Sequence, residues 1–388
     1  MPQLFGTPVP TKDELRVQTL VDQLREKLAW AVSSRRWTGL LRRVTLAKAI
    51  QGSNSIEGYR VTVGDALAAV DGEEPLDAES ETWAAVVGYR NAMTYVLQLA
   101  DDTHFAYETA LIKGLHYAMT SYDLTKSPGR WRPGPIFVRN EATGERVYEG
   151  PDAELVADLM SELVAELNEP TTDPAMFRAA MAHLNLVMIH PFADGNGRMG
   201  RCLQSLVLAR HGISAPVFCS IEEYLGRNTE AYYGVLAAVG AGSWQPERDA
   251  RPWLRFCLTA HFVQAITLLR RSKELQRLWD ALEDLLRKYG LPDRMLYALA
   301  ETAQGFRMTN GRYRSLADVS QNLASRDLAA LCAQGLLEAH GERRGRFYTA
   351  TPATRAIRNQ TREARTPIPS PFENEGQVSD AVQPVLFS

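Results

Sequence analysis

The spacing of apolar residues along the chain predicts a mostly helical protein. Leu15 and Val17 begin a series that recurs every three or four positions, which places apolar side chains on one face of a helix over residues 13–50. A second helix is expected over 45–57, because Gly58 can end a helix in the left-handed conformation. Helical spacing then continues over 76–121, 152–167, 174–189, 198–210, 228–238 and 252–288.

Residues 127–150 interrupt this helical pattern. Proline and glycine recur throughout the segment, and neither residue favours a helix interior. The stretches Ile136-Phe137-Val138 and Arg146-Val147-Tyr148 are separated by the turn-forming residues 140–144. Two short strands around such a turn predict a β-hairpin.

The C-terminal third shows two further changes of pattern. Residues 291–355 have the spacing of short helices followed by the strand-like Phe347-Tyr348-Thr349, which indicates a small separate unit. Three prolines then lie among polar residues in 356–388, which predicts a disordered tail. The expected parts are an N-terminal helical region, a central domain, a linking helix, the small unit and the tail, at 1–75, 76–260, 261–290, 291–355 and 356–388.

Composition excludes several classes of protein. Of the 388 residues, 45% are hydrophobic and 23% are charged, as in an ordinary soluble protein. The formal net charge of −3 supports neither a strongly basic nucleic-acid binder nor an acidic solvating chain. The N-terminus has no pattern of a signal peptide, and no apolar run approaches the roughly 20 residues that cross a membrane. The scattered cysteines favour buried thiols in a reducing cytoplasm; they are Cys202, Cys219, Cys257 and Cys332.

The strongest chemical signal is the segment His190-Pro-Phe-Ala-Asp-Gly-Asn-Gly-Arg-Met-Gly-Arg201. Pro191 prevents the preceding helix from continuing. The turn Gly195-Asn196-Gly197 can direct backbone amides at an anion, and the N-terminus of the next helix favours a phosphate. Arg198 and Arg201 are three residues apart and therefore share a helix face, which suits a polyphosphate.

Two further side chains in this segment complete a transfer site. His190 is an imidazole that can accept a proton near neutral pH, and Asp194 offers oxygen ligands for Mg²⁺. The combination indicates phosphoryl or nucleotidyl transfer. Gly195-x-Gly197-x-x-Gly200 also matches a dinucleotide-binding pattern, with Glu222 at a suitable distance, but that pattern must follow a strand and this one follows helical spacing.

The segment His190-x-Phe192-x-Asp194-Gly195-Asn196-Gly197-Arg198-x-x-Arg201 resembles the active-site motif of the Fic family. Most members of that family transfer AMP from ATP to a Tyr, Thr or Ser hydroxyl of a protein. The resemblance covers residues 40–260. It implies an all-α fold, with a Fic helical core, a β-hairpin flap and here a small C-terminal winged-helix domain.

The resemblance also implies a role for each residue of the motif. His190 would take the proton from the target hydroxyl, Asp194 would hold Mg²⁺, and Phe192 would anchor the loop. Arg198 and Arg201 would pair with the β- and γ-phosphates of ATP. The remaining phosphate contacts would come from Gly195, Asn196, Gly197, Met199 and Gly200.

The earlier segment Ser53-Asn54-Ser55-Ile56-Glu57-Gly58 resembles the inhibitory motif of the same family. The resemblance implies that Glu57, with Ser53 and Gly58, pairs with Arg201 and competes there with the γ-phosphate. The alternative is an ordinary helix end with an exposed Glu57. In some relatives the same glutamate serves hydrolytic removal of AMP, and that second activity is also left open.

Two other regions resemble the rest of the family's site. The hairpin at 129–150 would be the flap, on which Ile136, Phe137 and Val138 pair with a target segment by β-augmentation. Near Tyr224, the residues Asn228, Tyr232 and Tyr233 would border the adenine and ribose. The alternatives are a plain covering hairpin and ordinary tyrosine packing in the core.

The small unit at 291–355 resembles the winged helix that some Fic proteins carry. Residues 320–331 would be its second helix, and Arg343, Arg344 and Arg346 would lie at the tip of the wing. Nearby carboxylates dilute this charge, so the unit suits protein docking or dimerisation as well as DNA.

The first hypothesis is therefore a self-inhibited, cytoplasmic protein adenylyltransferase. Its partners would be ATP, Mg²⁺ and a protein target, with no membrane; modification of the chain itself and a homodimer are left open. The alternative is a nucleotide-sensing, DNA-associated regulator. A third hypothesis changes the donor to UMP or phosphocholine transfer, but the second arginine of the motif, Arg201, favours a triphosphate.

Overall fold

The computed structural model of the chain describes residues 3–33, 35–75, 78–139, 143–213, 220–342 and 345–373. Four predicted features therefore lie outside the described residues: Cys219, Arg343, Arg344 and the end of the tail at 374–388. In the ranges given above, no helix combines the length and the apolar composition that a membrane crossing requires.

The N-terminal region contains two helices where the spacing suggested one helix over 13–50. They are α1 (Lys12–Val32) and α2 (Thr38–Ile56). The chain turns between them because Trp37 is buried and its indole N–H donates to Gln276 at 3.0 Å. A helix that continued unbroken would carry this indole away from its partner.

A capping box begins α1 and also attaches it to the rest of the molecule. The Thr11 hydroxyl accepts from the Glu14 amide, and the Thr11 amide donates to the Glu14 carboxylate. The buried Glu14 side chain accepts further bonds from Arg251 and Arg255. Burial alone would raise the pKa of Glu14, but these hydrogen bonds lower it to about 2.

The central helices surround the predicted loop. They are α3 (Val63–Asp71), α4 (Ser80–Gln98), α5 (Thr109–Thr120), α6 (Val156–Asn168), α7 (Ala175–Ile189), α8 (Asn196–Arg210), α9 (Glu222–Arg227), α10 (Thr229–Gly240) and the long α11 (Arg251–Lys288). Three single 3₁₀ turns connect them, at Leu99–Asp101, Leu124–Lys126 and Ala153–Leu155. Helices α7 and α8 are buried on most faces, so the loop between them lies in the middle of the core.

The predicted hairpin is present. Strands β1 (Phe137–Arg139) and β2 (Arg146–Glu149) are antiparallel, with Val138 opposite Tyr148 and an irregularity after Val138. The residues at its tip, 140–142, lie outside the described part of the chain. With this hairpin on a mostly helical core, the predicted all-α class with a β-hairpin is confirmed, whereas the winged-helix domain stays a prediction.

A second small sheet lies in the C-terminal unit. The order of elements is a 3₁₀ turn at Asp293–Met295, α12 (Leu296–Gln304), β3 (Met308–Thr309), α13 (Asn310–Ala317), α14 (Gln321–Ala333), β4 (Leu337–His340) and β5 (Phe347–Ala350). The strands are antiparallel, and β5 lies between β3 and β4.

The expected disordered tail differs from the structure over 356–373. Helix α15 (Pro352–Gln360) extends into this region, and we call residues 361–373 the C-terminal segment. Arg270 donates to the Thr366 carbonyl at 3.2 Å, and Arg16 donates to the Pro371 carbonyl at 3.0 Å. Proline lacks an amide donor, but its carbonyl still accepts, so arginines of α1 and α11 hold a segment whose composition predicts disorder.

Candidate active site

The loop between α7 and α8 is held in shape by its own residues. The Asn196 side chain accepts from the Phe192 amide and donates to the Phe192 carbonyl, both at 2.9 Å. Gly195 has a φ of 79°, a conformation that glycine adopts without strain. Because the Asn196 side chain is bound inside the loop, its backbone N–H at the start of α8 is the group better placed for the predicted phosphate contact.

The predicted base, His190, ends α7 with a left-handed φ of 52°. Its Nδ1 lies 2.9 Å from the Val187 carbonyl, and a carbonyl can only accept, so Nδ1 carries the proton. Nε2 of the neutral ring then keeps its lone pair. Burial lowers the pKa of His190, which keeps the ring neutral near pH 7 and able to accept a proton.

Arg132 positions His190, although no sequence motif indicated it. The buried guanidinium donates from Nε to the His190 carbonyl at 2.9 Å and from Nη1 to the Gly134 carbonyl at 2.6 Å. Nη2 donates to the Pro151 carbonyl, and the Arg132 amide donates to the Pro191 carbonyl at 2.9 Å. One side chain therefore joins both ends of the flap to the loop.

His116, on α5, is a second positioning residue that the sequence patterns did not reveal. Its Nδ1 accepts from the Gly129 amide at 2.9 Å, so its Nε2 donates to the Asp194 carbonyl at 2.9 Å. The ring also stacks on Phe192 with the centroids 3.7 Å apart. Burial lowers the pKa of His116 to about 4, so the ring stays neutral and links the base of the flap to the loop.

The two motif arginines are buried and carry unused donors. Nε and Nη1 of Arg198 have no hydrogen-bond partner among the described residues, and neither does Nη1 of Arg201. The Arg198 guanidinium lies over the Tyr59 ring, 5.1 Å from its centroid. Buried donors that lack partners cost free energy, and an anion beside them would remove that cost.

The predicted inhibitory segment, residues 53–58, contacts Arg201 directly. Arg201 Nη2 donates to Glu57 Oε1 at 2.7 Å, and Nε donates to the Ser53 hydroxyl at 2.8 Å. The Glu57 carboxylate also lies against Gly197, where an added Cβ would be 2.4 Å from Oε1. The structure thus brings Glu57 beside two of the predicted phosphate-binding residues, Arg201 and Gly197.

The end of α2 places Glu57 at this position. Gly58 has a φ of 83°, and the Gly58 and Tyr59 amides donate to Ser55 and Asn54 carbonyls, which is a Schellman motif. Further back on α2, an added Cβ at Gly52 would lie 2.3 Å from the Glu222 carbonyl oxygen. Helices α2 and α9 therefore approach each other as closely as glycine permits.

Lys126 is a third cation beside the loop. Its Nζ lies 3.3 Å from Asp194 Oδ2 and donates to the hydroxyls of Tyr59 at 2.6 Å and Tyr122 at 3.0 Å. Although burial opposes it, these hydrogen bonds raise the pKa of Lys126. The lysine therefore stays charged, and it was missed because it lies far from the motif in sequence.

Asp194 meets the requirements of a magnesium ligand. Its side chain is 42% exposed, and it lines the cavity that the loop borders. Among the described residues no three His, Cys, Asp or Glu side chains group to enclose a metal ion. Mg²⁺ is often held by one or two carboxylates together with substrate phosphates, and a single carboxylate on an open cavity fits that mode.

The cavity beside the loop has a volume of about 1030 Å³. Its walls are the loop from His190 to Gly197, the end of α2, both flap strands and one face of α10. This volume is at the upper end of the range for small-molecule sites, and it accommodates a nucleotide together with part of a second substrate.

The predicted adenine residues separate into two groups. Tyr233 is 46% exposed, lines the cavity and donates to the Ile56 carbonyl at 3.2 Å. Tyr232 reaches the same cavity but is buried, with its hydroxyl 3.0 Å from His183 Nε2. Asn228 does not line this cavity, because its amide donates to the Tyr224 carbonyl at 2.8 Å on the other side of α9.

The flap presents one open strand edge. Among the residues that the structure describes, β1 pairs only with β2, whereas the far side of β2 is covered by a bond from the Glu149 amide to Gly242. Val138 lines the cavity. The Arg146 guanidinium lies over the Phe137 ring, with its central carbon 3.3 Å from the ring centroid. Ile136 immediately precedes β1.

Comparison with known proteins identifies the family. Residues 106–208 match the Fic/DOC family. A Fido domain-containing protein of Dictyostelium discoideum is 39% identical over 114 residues, which cover 28% of this chain and 75% of that protein. The chain belongs to the Fic/DOC family.

Other relatives of this Fic chain carry an activity in their names. Protein adenylyltransferase Fic of Drosophila yakuba is 30% identical over 254 residues, covering 64% of the chain and 46% of that protein. Protein adenylyltransferase fic-1 of Caenorhabditis elegans is 37% identical over 106 residues, covering 26% and 18%. The Fic chain thus spans less than half the length of these two relatives.

Solved structures show the same fold. A Fic family protein from Desulfovibrio desulfuricans G20 superposes with a TM-score of 0.57 at 22% identity, covering 89% of this chain and 98% of that one. Fic-1 from C. elegans gives a TM-score of 0.52 at 22% identity, covering 66% and 72%.

Proposed function

We propose that this Fic chain transfers AMP from ATP to a hydroxyl group of a protein, and that Glu57 holds it in an inhibited state. The observation that carries the proposal is the set of unpartnered guanidinium donors on Arg198 and Arg201, on the helix that follows the loop, together with a neutral His190 that lines the cavity. The relatives named protein adenylyltransferase support the choice of AMP as the transferred group.

The transfer step follows from the placement of these groups. His190 Nε2 takes the proton from the target hydroxyl, whose oxygen attacks the α-phosphorus of ATP. The bond from that phosphorus to the bridging oxygen breaks, and pyrophosphate leaves. Arg198 and Arg201 stabilise the charge on the leaving phosphates. Asp194 would hold Mg²⁺, which neutralises phosphate charge when bound.

Glu57 inhibits this step by occupying Arg201. Its carboxylate takes the Nη2 donor that a γ-phosphate would use. ATP that binds beside Arg198 is then displaced from the reactive pose. The same carboxylate, close to the loop, is also suited to orient a water for hydrolytic removal of AMP, which is our proposal for a second reaction at this site.

The target segment is proposed to bind along β1. The open edge of that strand offers backbone donors and acceptors beside the cavity. Pairing with an extended segment would bring its hydroxyl to His190 without reading much side-chain sequence.

A DNA-associated regulator is the second candidate function. The order of α12, β3, α13, α14, β4 and β5 is the order of a winged helix, which favours this alternative. Arg326 on α14 and Arg346 beside β5 are exposed and could contact phosphates. Replacement of His190 would leave this function intact and abolish AMP transfer.

The test is intact-mass measurement after incubation with ATP and Mg²⁺. Wild type, Glu57→Gly and Glu57→Gly/His190→Ala are compared for self-addition of AMP. We expect the mass of AMP to be added only to Glu57→Gly, because that variant alone combines a free Arg201 with the base.

A protein that modifies only other targets would give no mass change in this assay. The same three proteins are then incubated with lysate and labelled ATP. Labelling by Glu57→Gly alone supports the proposal. Its absence, with ATP binding intact, would overturn AMP transfer and leave the removal reaction or the regulator.

A further inference from the structure

A second cavity, of about 450 Å³, lies on the other side of α9. Its walls come from α9, the following Asn228, the middle of α11 and the C-terminal segment. Arg270 holds that segment by bonds to the carbonyl and the hydroxyl of Thr366, at 3.2 and 3.1 Å. The Glu363 amide donates to Glu274 at 3.0 Å. The cavity therefore has a defined wall on its outer side.

The charged residues that line this cavity are mostly cations. Four arginines face two carboxylates there: Arg227, Arg270, Arg271 and Arg365, against Glu274 and Glu363. Both carboxylates already accept hydrogen bonds, Glu274 from the Glu363 amide and Glu363 from Arg277. The lining thus carries an excess of two positive charges.

The positive charge continues behind the cavity wall. The buried Glu223 carboxylate accepts from Arg227 at 2.7 Å and from Arg271 at 2.9 and 3.0 Å, and Lys48 lies 3.8 Å away. Three cations share this one carboxylate. Burial lowers the pKa of Lys48 to about 8 although Glu223 opposes the shift, and the neighbouring arginines lower it further.

Arg271 carries an unused donor at this point. Its Nη2 is bound to both oxygens of Glu223, but its buried Nη1 has no hydrogen-bond partner among the described residues. Leaving such a donor unpaired costs free energy. A phosphate group carries up to two negative charges and pairs well with guanidinium groups, so it matches both the charge excess and the unused donor.

We propose that this cavity binds a small organic phosphate, with Arg271 Nη1 as the principal donor and Arg227 and Arg365 as supporting cations. Tyr224, Val263 and Ile368 supply an apolar wall for the organic part. The site is separate from the nucleotide site, since Gly226 lines the first cavity and Arg227 lines the second. The proposal does not depend on AMP transfer.

The test uses inorganic phosphate as the probe, in isothermal titration calorimetry at constant ionic strength. Wild type and Arg198→Met should both bind at this site, because Arg198 lies on the helix that follows the loop and does not line the second cavity. Arg271→Met should bind at least about tenfold more weakly, the effect of one lost bond to a charged group. Arg287→Met is the matched control on the same helix, where the arginine is exposed and pairs with Asp284.

If Arg271→Met did not fold, a second variant would test the site. Thr267→Phe fills the cavity and leaves every charge in place, and we expect it to lose phosphate binding as well. Undiminished binding in either folded variant would overturn the site. So would binding that disappears in Arg198→Met, because the phosphate would then occupy the loop cavity only.

Discussion

Arg198 and Arg201 lie three residues apart on one helix, and yet their side chains are used very differently. Arg201 donates to Ser53 and Glu57 and keeps one unused donor, Nη1. Arg198 lies over the Tyr59 ring and 4.0 Å from Asp194 Oδ2, and its Nε and Nη1 donors are unused. A polyphosphate beside these two side chains would therefore find more unused donors on Arg198 than on Arg201. Inhibition by Glu57 should consequently change how ATP is bound more than whether it is bound.

The protonation state of His190 leads to a prediction about pH. Burial lowers the pKa of the ring, so the neutral form that accepts a proton persists below the ordinary histidine pKa of about 6.5. The rate of AMP transfer by Glu57→Gly should fall on the acid side only below about pH 6.5. Initial rates measured from about pH 5 to 8 check this prediction. If the rate had already fallen to half at a pH above about 6.5, burial would not lower the pKa of His190.

Arg132 leads to a prediction about stability. Arg132→Met removes the donor to the His190, Gly134 and Pro151 carbonyls. Buried groups that lose their partners destabilise a protein by about 2–4 kcal/mol in such cases. Urea unfolding should show this loss, whereas the exposed neighbour Arg130 should change stability by less than about 0.5 kcal/mol when replaced by Met. If the two substitutions lowered the free energy of unfolding equally, Arg132 would not hold the loop and the flap in position.

These positioning residues also show where sequence reasoning stops. His190, Arg198, Arg201 and Glu57 were predicted because each belongs to a short continuous motif. Arg132, His116 and Lys126 act through carbonyls and side chains that are distant in sequence, and such contacts exist only once the helices have assembled. Asn196 lies in the loop as expected, and its side chain binds the loop itself. The motif alone does not distinguish such a bond from a phosphate contact, which stays a prediction.

At the scale of elements, the sequence predicted that the helices exist but did not always predict where they begin and end. The amphipathic spacing of α7 and α8 and the turn residues of the hairpin identify those elements directly. The break between α1 and α2 depends on the burial of Trp37 against Gln276, and the order of the C-terminal segment depends on arginines of α1 and α11. Neither partner lies within the local window on which periodicity is read.

The packing of α2 on α9 predicts a way to weaken the proposed inhibition by Glu57. In Gly52→Ala the new Cβ would lie 2.3 Å from the Glu222 carbonyl oxygen, so α2 must move away from α9 and carry Glu57 with it. We expect a stability loss of about 1–3 kcal/mol, and more self-added AMP than in wild type. Thermal unfolding and intact mass are the two measurements.

Gly39→Ala is the matched control for this prediction. It lies on the same helix, and an added Cβ there would meet nothing within 4 Å. Alanine favours a helix over glycine by about 1 kcal/mol, so this variant should be neutral or slightly stabilised, with inhibition unchanged. If Gly52→Ala kept wild-type stability and activity, the close approach of α2 and α9 would not control Glu57.

At the scale of the whole molecule, buried charges join the C-terminal unit to the helix that carries Glu57. Glu301 on α12 accepts from Arg43 of α2 and from Arg312 of α13, both at 2.8 Å. Asp71, at the end of α3, lies 3.4 Å from Arg43 and 3.6 Å from Arg312. The cluster spans four helices. A displacement of the C-terminal unit would therefore be transmitted to α2 through these ion pairs and hydrogen bonds.

Glu301 makes this junction sensitive to pH. Burial raises the pKa of its carboxyl to about 7, above the value of about 4.3 in an unfolded chain. The native state therefore binds the proton more tightly, and stability falls as the pH rises from about 4.3 through 7. Glu301→Gln has no carboxyl to titrate. The free energy of unfolding of wild type should therefore fall by about 2–3 kcal/mol relative to that of the variant between about pH 5 and pH 8.

Glu338→Gln is the control, because Glu338 is exposed. It should follow wild type in urea unfolding at both pH values. If Glu301→Gln and wild type changed in parallel, Glu301 would be ionised throughout, and the two arginines would outweigh its burial.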